Sequence, residues 1–137
     1  MQALLPTPVI RFEPSQGFEE ALDRAASLWG IEPGYQDTWG EWHVTSPPVK
    51  RAILKSLGVA SNSREELDRA VEERLWRDWN ALTPPVVVLG EQSREFPINV
   101  PSALAGCTAS IEIRLEEGGS RSWEAALNHL PDAAQAT

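Results

Sequence analysis

Two neighbouring segments decide the fold of the first half of the chain: residues 28–40 read LWGIEPGYQDTWG, and residues 46–58 read SPPVKRAILKSLG. Residues 17–29 place their apolar side chains at the spacing of one helical face, and Gly30 suits the position that follows a helix. Residues 31–45 combine proline and glycine with three aromatic residues. This composition predicts an ordered connector that ends in a short extended piece.

The second segment predicts another helix, which ends at Gly58. Ser46 is expected to cap this helix with its hydroxyl, and Pro47 takes the first helical position, where a missing N–H costs nothing. Apolar spacing then predicts an inner face made of Val49, Ala52, Ile53, Ser56 and Leu57.

A capping box predicts the start of a third helix. Ser63 is followed three residues later by Glu66, so that hydroxyl and carboxylate can satisfy free N–H groups at a helix start. The helical spacing of apolar residues continues to Leu82. The helix must end before Pro84 and Pro85, which cannot occupy a helix interior.

After these prolines the apolar period changes from helical to alternating, which predicts strands. The expected strands lie at residues 86–89, 96–100, 111–115 and 121–124. Gly118 and Gly119 favour a hairpin turn between the last two. Pro97 places its strand at a sheet edge or delays its start.

The predicted fold class is therefore α+β: a three-helix amino-terminal unit followed by a partial antiparallel β-sandwich. Residues 1–14, which contain three prolines, are expected to form an extended arm, since proline disfavours helix in the residue before it. The helical unit is expected at residues 15–82 and the β region at residues 83–137. Because four strands are too few for a sandwich of about seven, the β region reads as cut off inside a domain.

The amino-acid composition indicates a folded domain and argues against nucleic-acid binding. Hydrophobic residues make up 42% and charged residues 23%, values typical of a folded domain. A net charge of −8, with 12 basic residues scattered among 20 acidic ones, argues against nucleic acid as a partner. There is no apolar run long enough for export or for a membrane span, so a cytoplasmic location without membrane contact is expected.

The two opening segments resemble the amino-terminal region of bacterial 4-alpha-glucanotransferases of the amylomaltase type, glycoside hydrolase family 77. In that family a helix ends in Gly-Ile-Xaa-Pro-Xaa-Tyr, as residues 30–35 do here, an aromatic-glycine turn follows, and a second helix ends in leucine and glycine, as residues 54–58 do. A departure is Trp42-His43, where many relatives have a basic or small polar residue. The resemblance also covers the order of a helical segment before a β-sandwich.

The resemblance implies a parent enzyme that transfers maltodextrin segments through a covalent glycosyl-enzyme, without metal or nucleotide. Its catalytic carboxylates lie in a (β/α)₈ barrel, which 137 residues cannot contain. The chain is therefore expected to be a non-catalytic accessory region whose partner is the catalytic barrel of the same polypeptide. No cofactor is expected.

Six tryptophans in 137 residues suggest a second function. Tyr35, Trp39 and Trp42 lie in the connector, where they either pack internally or stack on sugar rings, which would make the chain a maltodextrin-binding module. Trp29 and Trp79 are predicted to be core residues. Trp76 lies off the main helical face, which leaves a helical protein-interaction module as a third reading.

The sequence shows no pattern typical of a catalytic site or a metal site. Asp37, Glu41, Asp78 and Glu91 are carboxylates without a pattern that singles out a catalytic pair, so no catalytic residue is predicted. The two histidines, His43 and His129, have no metal-ligand spacing to each other or to the single cysteine, so no metal site is predicted. Cys107 is expected to be a buried structural thiol.

The β region carries one further expectation. A sheet that lacks its later strands exposes unpaired N–H and C=O groups along an edge, and such an edge recruits another chain. We therefore expect self-association through the β region, by edge pairing or strand exchange.

Overall fold

The computed structural model describes residues 9–91 and 95–136, so most of the predicted extended arm lies outside the described residues. The fold is mixed α+β, and the three predicted helices are confirmed: α1 (Phe18–Leu28), α2 (Pro47–Ser56) and α3 (Arg64–Asn80). The strands pair two by two. They are β1 (Val9–Ile10), β2 (Gly34–Gln36), β3 (Trp42–Val44), β4 (Thr108–Arg114), β5 (Ser120–Ala126) and β6 (Gln135–Ala136).

The chain divides into two compact units. One is Phe12–Asp78, and the other combines Met1–Arg11 with Trp79–Thr137. The first unit, here called the helical unit, contains α1, α2, the hairpin of β2 and β3, and most of α3. The second, here called the β unit, contains the remaining strands.

The core of the helical unit lies where the three helices meet. Small side chains of α1 let large side chains approach, since an alanine face leaves room for a leucine from each neighbour. Leu22, Leu54 and Leu67 come one from each helix and are at most 1% exposed. The remaining core residues are Ala21, Ala25, Val59 and Val71.

Glycine ends both of the first two helices, as predicted. Gly30 and Gly58 have φ of +73° and +78°, values that residues with a Cβ rarely adopt. In each case the N–H one residue later bonds back across the last turn, which satisfies a carbonyl that would otherwise be free. These bonds run from Ile31 to Ala26 at 2.8 Å and from Val59 to Leu54 at 2.9 Å.

The helix starts differ in detail from their predictions. The Ser63 hydroxyl accepts the Glu66 N–H at 3.2 Å, while the Glu66 carboxylate accepts the N–H of Asn62 at 2.8 Å. Ser46 caps α2 with its backbone carbonyl, and its hydroxyl makes no capping bond, so that part of the prediction is wrong. Pro48, at the second helical position, supplies no N–H for such a bond.

Helix α2 buries a different face from the predicted one. Lys50 and Leu54 are buried, whereas Val49, Ile53 and Leu57 are 47%, 37% and 54% exposed, and Ala52 and Ser56 are exposed too. The Lys50 ammonium pairs with Asp23 of α1 at 2.7 Å, which compensates the burial of its charge. The predicted inner face is therefore an apolar stripe on the outside of the helical unit.

A buried carboxylate attaches the start of the unit to α3. Asp68 accepts hydrogen bonds from both the N–H (3.1 Å) and the hydroxyl (2.7 Å) of Ser15. The Ser15 hydroxyl also accepts from Arg24, and its carbonyl accepts from Arg64. These bonds fix the segment that precedes α1, which begins at Phe18, close to the start of the predicted helical face at residue 17.

In the β unit, β4 and β5 form the predicted hairpin, and the predicted residues 111–114 and 121–124 lie in it. Gly118 and Gly119 have φ of +93° and +89° in the turn, as the hairpin requires. Strand β1 pairs with β6 in parallel. Among the described residues, the strands predicted at 86–89 and 96–100 are not formed, and no two sheets pack as a sandwich.

Both missing strands contain or follow prolines, which cannot donate to a sheet, and no described strand lies beside them. None of the described residues of the β unit is buried. Cys107 is accordingly exposed, so its predicted burial is wrong, because this unit offers no core in which a thiol could lie. Across the described ranges, no helix combines the length and apolarity that a bilayer crossing requires.

Candidate functional site

The candidate site is the hairpin of β2 and β3, which replaces the predicted loop between the first two helices. Its register pairs Gly34 with Val44, Tyr35 with His43 and Gln36 with Trp42. A further backbone bond from Thr45 to Pro33, 2.8 Å long, closes its open end. The sequence indicated the second strand of this hairpin but not the first, because glycine and proline mask the β2 pattern.

The turn of the hairpin is organised by one carboxylate. Asp37 Oδ1 accepts the N–H groups of Trp39 and Glu41, each at 2.9 Å, and the Asp37 N–H donates to the Glu41 carbonyl. Gly40 supplies the φ of +85° that the tight reversal needs. These hydrogen bonds fix the backbone of Trp39 in the turn.

An imidazole completes the arrangement on one face. His43 Nε2 lies 2.8 Å from Asp37 Oδ2, and the His43 ring stacks on Tyr35 with centroids 5.2 Å apart. The hydrogen bond from His43, followed by those from the backbone N–H groups, lowers the pKa of Asp37. The carboxylate is therefore held in its charged form.

The three aromatic residues predicted to contact glucan are all exposed. Tyr35 is 61% exposed, Trp39 90% and Trp42 59%. The three rings therefore do not pack in the core of the helical unit.

The three rings do not share one surface. Cross-strand pairing puts Tyr35 and His43 on one face of the hairpin, and Trp42 lies on the other because strand side chains alternate. Trp42 packs across Gly34, where an added Cβ would lie 2.7 Å from its Cζ2 atom. Trp39 lies at the tip between the two faces.

One group of possible metal ligands also lies here. Asp37, Glu41 and His43 each offer a ligand atom, and these atoms lie within 4.8 Å of one another. This group does not follow from the spacing of histidine and cysteine along the sequence, because two of its three members are carboxylates. The signal was available in the turn, which brings positions 37, 41 and 43 together through the hairpin register.

The other carboxylates considered for catalysis are dispersed. Asp78 pairs with Arg74 at 3.0 Å on α3, and Glu91 belongs to the β unit. Asp37 and Glu41 are close, but a general acid needs a raised pKa and that of Asp37 is lowered. Asp37 is therefore unsuited to the role of a general acid.

The remaining tryptophans have other surroundings. Trp29 is half-buried against the core, and the Arg74 guanidinium lies 5.6 Å above its ring. Trp79 is half-buried, and Trp76 is 38% exposed on α3. Trp76 therefore offers a partly exposed indole away from the hairpin.

Comparison of the chain with protein-family models, with curated proteins and with solved structures finds no match.

Proposed function

We propose that this chain is the non-catalytic accessory region of an amylomaltase-type 4-alpha-glucanotransferase, and that its aromatic hairpin binds maltodextrin. The observation that carries the proposal is the exposure of Tyr35, Trp39 and Trp42 on a hairpin whose turn is fixed by hydrogen bonds. The resemblance of residues 28–58 to that enzyme family supplies the glucan as ligand. The catalytic barrel of the same polypeptide is the proposed covalent partner.

The chemistry of a maltodextrin suits this surface. The apolar faces of glucose rings stack on aromatic rings, and the hydroxyl groups at their edges need charged or polar partners. His43 stacks on Tyr35, and the polar atoms of Glu41 and His43, which lie within 4.8 Å of each other, can accept or donate such hydrogen bonds. At the tip, Trp39 offers an indole that is 90% exposed, so a sugar can cover it without displacing any protein contact.

The division of the rings between two faces predicts which of them act together. Tyr35 and Trp39 can meet one glucan chain from the same side, and Trp42 contacts a second chain or none. A single chain bound through two rings is expected to be held weakly. Millimolar to high micromolar dissociation constants are therefore expected.

Titration with maltoheptaose, followed by tryptophan fluorescence and calorimetry, tests the binding proposal. Trp39→Ala is expected to weaken binding at least about tenfold, the loss of one stacking contact of roughly 1.4 kcal/mol or more. Trp76→Ala removes a partly exposed indole from α3 and should leave the affinity unchanged. Absence of any response at millimolar sugar would contradict glucan binding.

A separate assay tests the non-catalytic assignment. The chain is incubated with maltotriose, and the product lengths are followed by chromatography. We expect the size distribution to stay constant over hours. Formation of longer and shorter maltodextrins by the pure chain would overturn the assignment.

A second candidate function is protein docking, which the apolar stripe of α2 favours. Val49, Ile53 and Leu57 follow one another at i, i+4 and i+8 and are all exposed. If this stripe docks on the catalytic barrel, Ile53→Asp should abolish binding to a separately expressed amylomaltase barrel. Trp39→Ala should then have no effect on that binding.

A further inference from the structure

The hairpin of β4 and β5 has an apolar face without a core to cover it. Register pairs place Ile111 opposite Trp123 and Ala109 opposite Ala125 on one face, with Ile113 beside them. Trp123 and Ile113 are each 44% exposed. A two-stranded ribbon is marginally stable in water, and further strands are needed to stabilise such a face.

Two flanking bonds reveal which backbone groups of β4 are free. The Leu115 N–H donates to the Gly119 carbonyl and the Leu127 N–H donates to the Cys107 carbonyl, both at 3.0 Å. Odd-numbered residues of β4 therefore direct their N–H and C=O groups toward β5. The outward groups belong to the even-numbered residues Thr108, Ser110, Glu112 and Arg114, and no described strand pairs with them.

Backbone geometry restricts how a second copy can pair with this edge. An antiparallel second β4 must match even-numbered residues with even-numbered residues, because only these direct hydrogen-bonding groups outward. The same matching keeps the apolar residues of both copies on one face. A two-fold axis can then pass through a single residue of the strand.

Strand overlap and charge together select the position of that axis. An axis at Ile113 would place Glu112 opposite Arg114, but only three residues of each strand would overlap, whereas an axis at Ile111 overlaps all seven residues of β4. An axis at Glu112 places two carboxylates directly opposite each other, which is unfavourable. An axis at Ile111 places Ser110 opposite Glu112 and Thr108 opposite Arg114, with the two Ile111 side chains in contact. We propose that two copies of the chain form a four-stranded sheet through the outer edge of β4, with the two-fold axis at Ile111.

The opposite edge of the hairpin is less suited to self-pairing. Around the axis at Ile111 the two Glu112 side chains lie diagonally, but each is paired within its strand to Arg114, at 3.3 Å. Glu124 of β5 has no cationic partner among the described residues, so the equivalent arrangement there brings two uncompensated carboxylates together. Strand β4 also carries the β-branched isoleucines that favour extended structure.

The contact has the size of a weak interface. One seven-residue edge buries less than the roughly 800 Å² per partner that stable complexes use. We therefore expect a reversible dimer with a micromolar dissociation constant. This inference does not depend on the proposed glucan binding.

Sedimentation equilibrium over a wide concentration range tests the pairing. Ser110→Pro removes an outward N–H of β4 without removing a bond to β5, and it should weaken dimerisation at least about tenfold. The matched control is Ser122→Pro, which makes the same change on the outer edge of β5 and should leave the dimer intact. A chain that is monomeric at all concentrations, or the reverse behaviour of the two variants, overturns the proposal.

Disulfide formation tests the register even if a proline variant fails to fold. In a Cys107→Ser background, Ile111→Cys places two thiols across the axis in a pair with Cα atoms about 4.5 Å apart, which a disulfide can bridge. Ile113→Cys is the control, because its two copies are separated by about 13 Å along the strands. Rapid dimer formation by Ile111→Cys alone supports the register, and faster crosslinking of Ile113→Cys contradicts it.

Discussion

At the scale of single residues, Gly34 decides whether the aromatic hairpin can form. A Cβ at this position would lie 2.5 Å from the His43 carbonyl oxygen and 2.7 Å from the Trp42 ring. Only glycine lets the indole of Trp42 cross the neighbouring strand at this distance. The aromatic arrangement therefore depends on a residue that has no side chain.

Gly34→Ala is expected to destabilise the helical unit by about 1–3 kcal/mol, the usual cost of forcing an atom into a packed position. Thermal unfolding followed by tryptophan fluorescence measures the change. Gly106→Ala is the control, since nothing lies within 4 Å of the added Cβ there. An effect of the same size in both variants would show that Gly34 is not restrained by Trp42.

Asp37 gives the hairpin a defined response to acid. Its pKa is lowered by His43 and by the backbone N–H groups, so its contribution to stability is fully present above the ordinary value of 3.8. That contribution is lost as the pH falls through the lowered value. We expect the amide resonances of Trp39 and Glu41 to titrate with a midpoint below 3.8, and a midpoint at or above 3.8 would contradict the hydrogen-bonded turn.

At the scale of secondary-structure elements, two helix starts that look alike in sequence differ in their bonding. Ser63 accepts the Glu66 N–H with its hydroxyl, whereas the Ser46 hydroxyl makes no such bond. We predict that Ser63→Ala costs about 1 kcal/mol of stability and that Ser46→Ala costs clearly less. Urea unfolding of the two variants measures the difference, and equal losses would mean that the Ser63 hydroxyl does not cap α3.

The helices could be predicted because their ends are decided locally. Gly30 and Gly58 end helices through backbone conformation, which needs no knowledge of distant residues. The face that α2 buries could not be predicted, because Lys50 and Leu54 of this face have their partners on other helices: Lys50 pairs with Asp23, and Leu54 packs in the shared core. In a sequence pattern a lysine is assigned to the surface, because its buried ion-pair partner cannot be recognised from the sequence.

The candidate site was predictable only in part, for a similar reason. Composition drew attention to Tyr35, Trp39 and Trp42, but the hairpin register decides that Tyr35 and Trp42 lie on opposite faces. Register is a property of two strands together, and β2 is too short to show a pattern by itself. Residues 86–89 show the opposite case. Their β-branched run has the pattern of a strand, but no described strand pairs with it, so no strand forms.

At the scale of the whole molecule, Asp68 connects the segment before α1 to α3. Asp68→Ala would leave the buried N–H of Ser15 without its partner, and such a loss costs about 1–3 kcal/mol. Glu72→Ala, one turn later on the exposed side of α3, should change stability by less than about 0.5 kcal/mol. Chemical denaturation of both variants checks this, and a small loss for Asp68→Ala would show that water replaces the carboxylate.

The two units should also differ in how long their amides resist exchange. The helical unit has a core of buried side chains, whereas no described residue of the β unit is buried. Hydrogen exchange monitored by mass spectrometry is therefore expected to show strong protection around Leu22, Leu54 and Leu67, and fast exchange in β4 and β5 at low protein concentration. Equal protection in both units would mean that β4 and β5 are stabilised by contacts other than self-pairing.

The parallel pairing of β1 with β6 has a consequence for synthesis on the ribosome. Val9–Ile10 meets Gln135–Ala136, so one unit is assembled from segments on either side of the other. The helical unit lies between them without interruption, and it can collapse as soon as it emerges. Strand β1 stays unpaired until residues 135–136 have been translated. Its pairing with β6 is therefore a late, non-local folding step, which costs the entropy of closing a long loop.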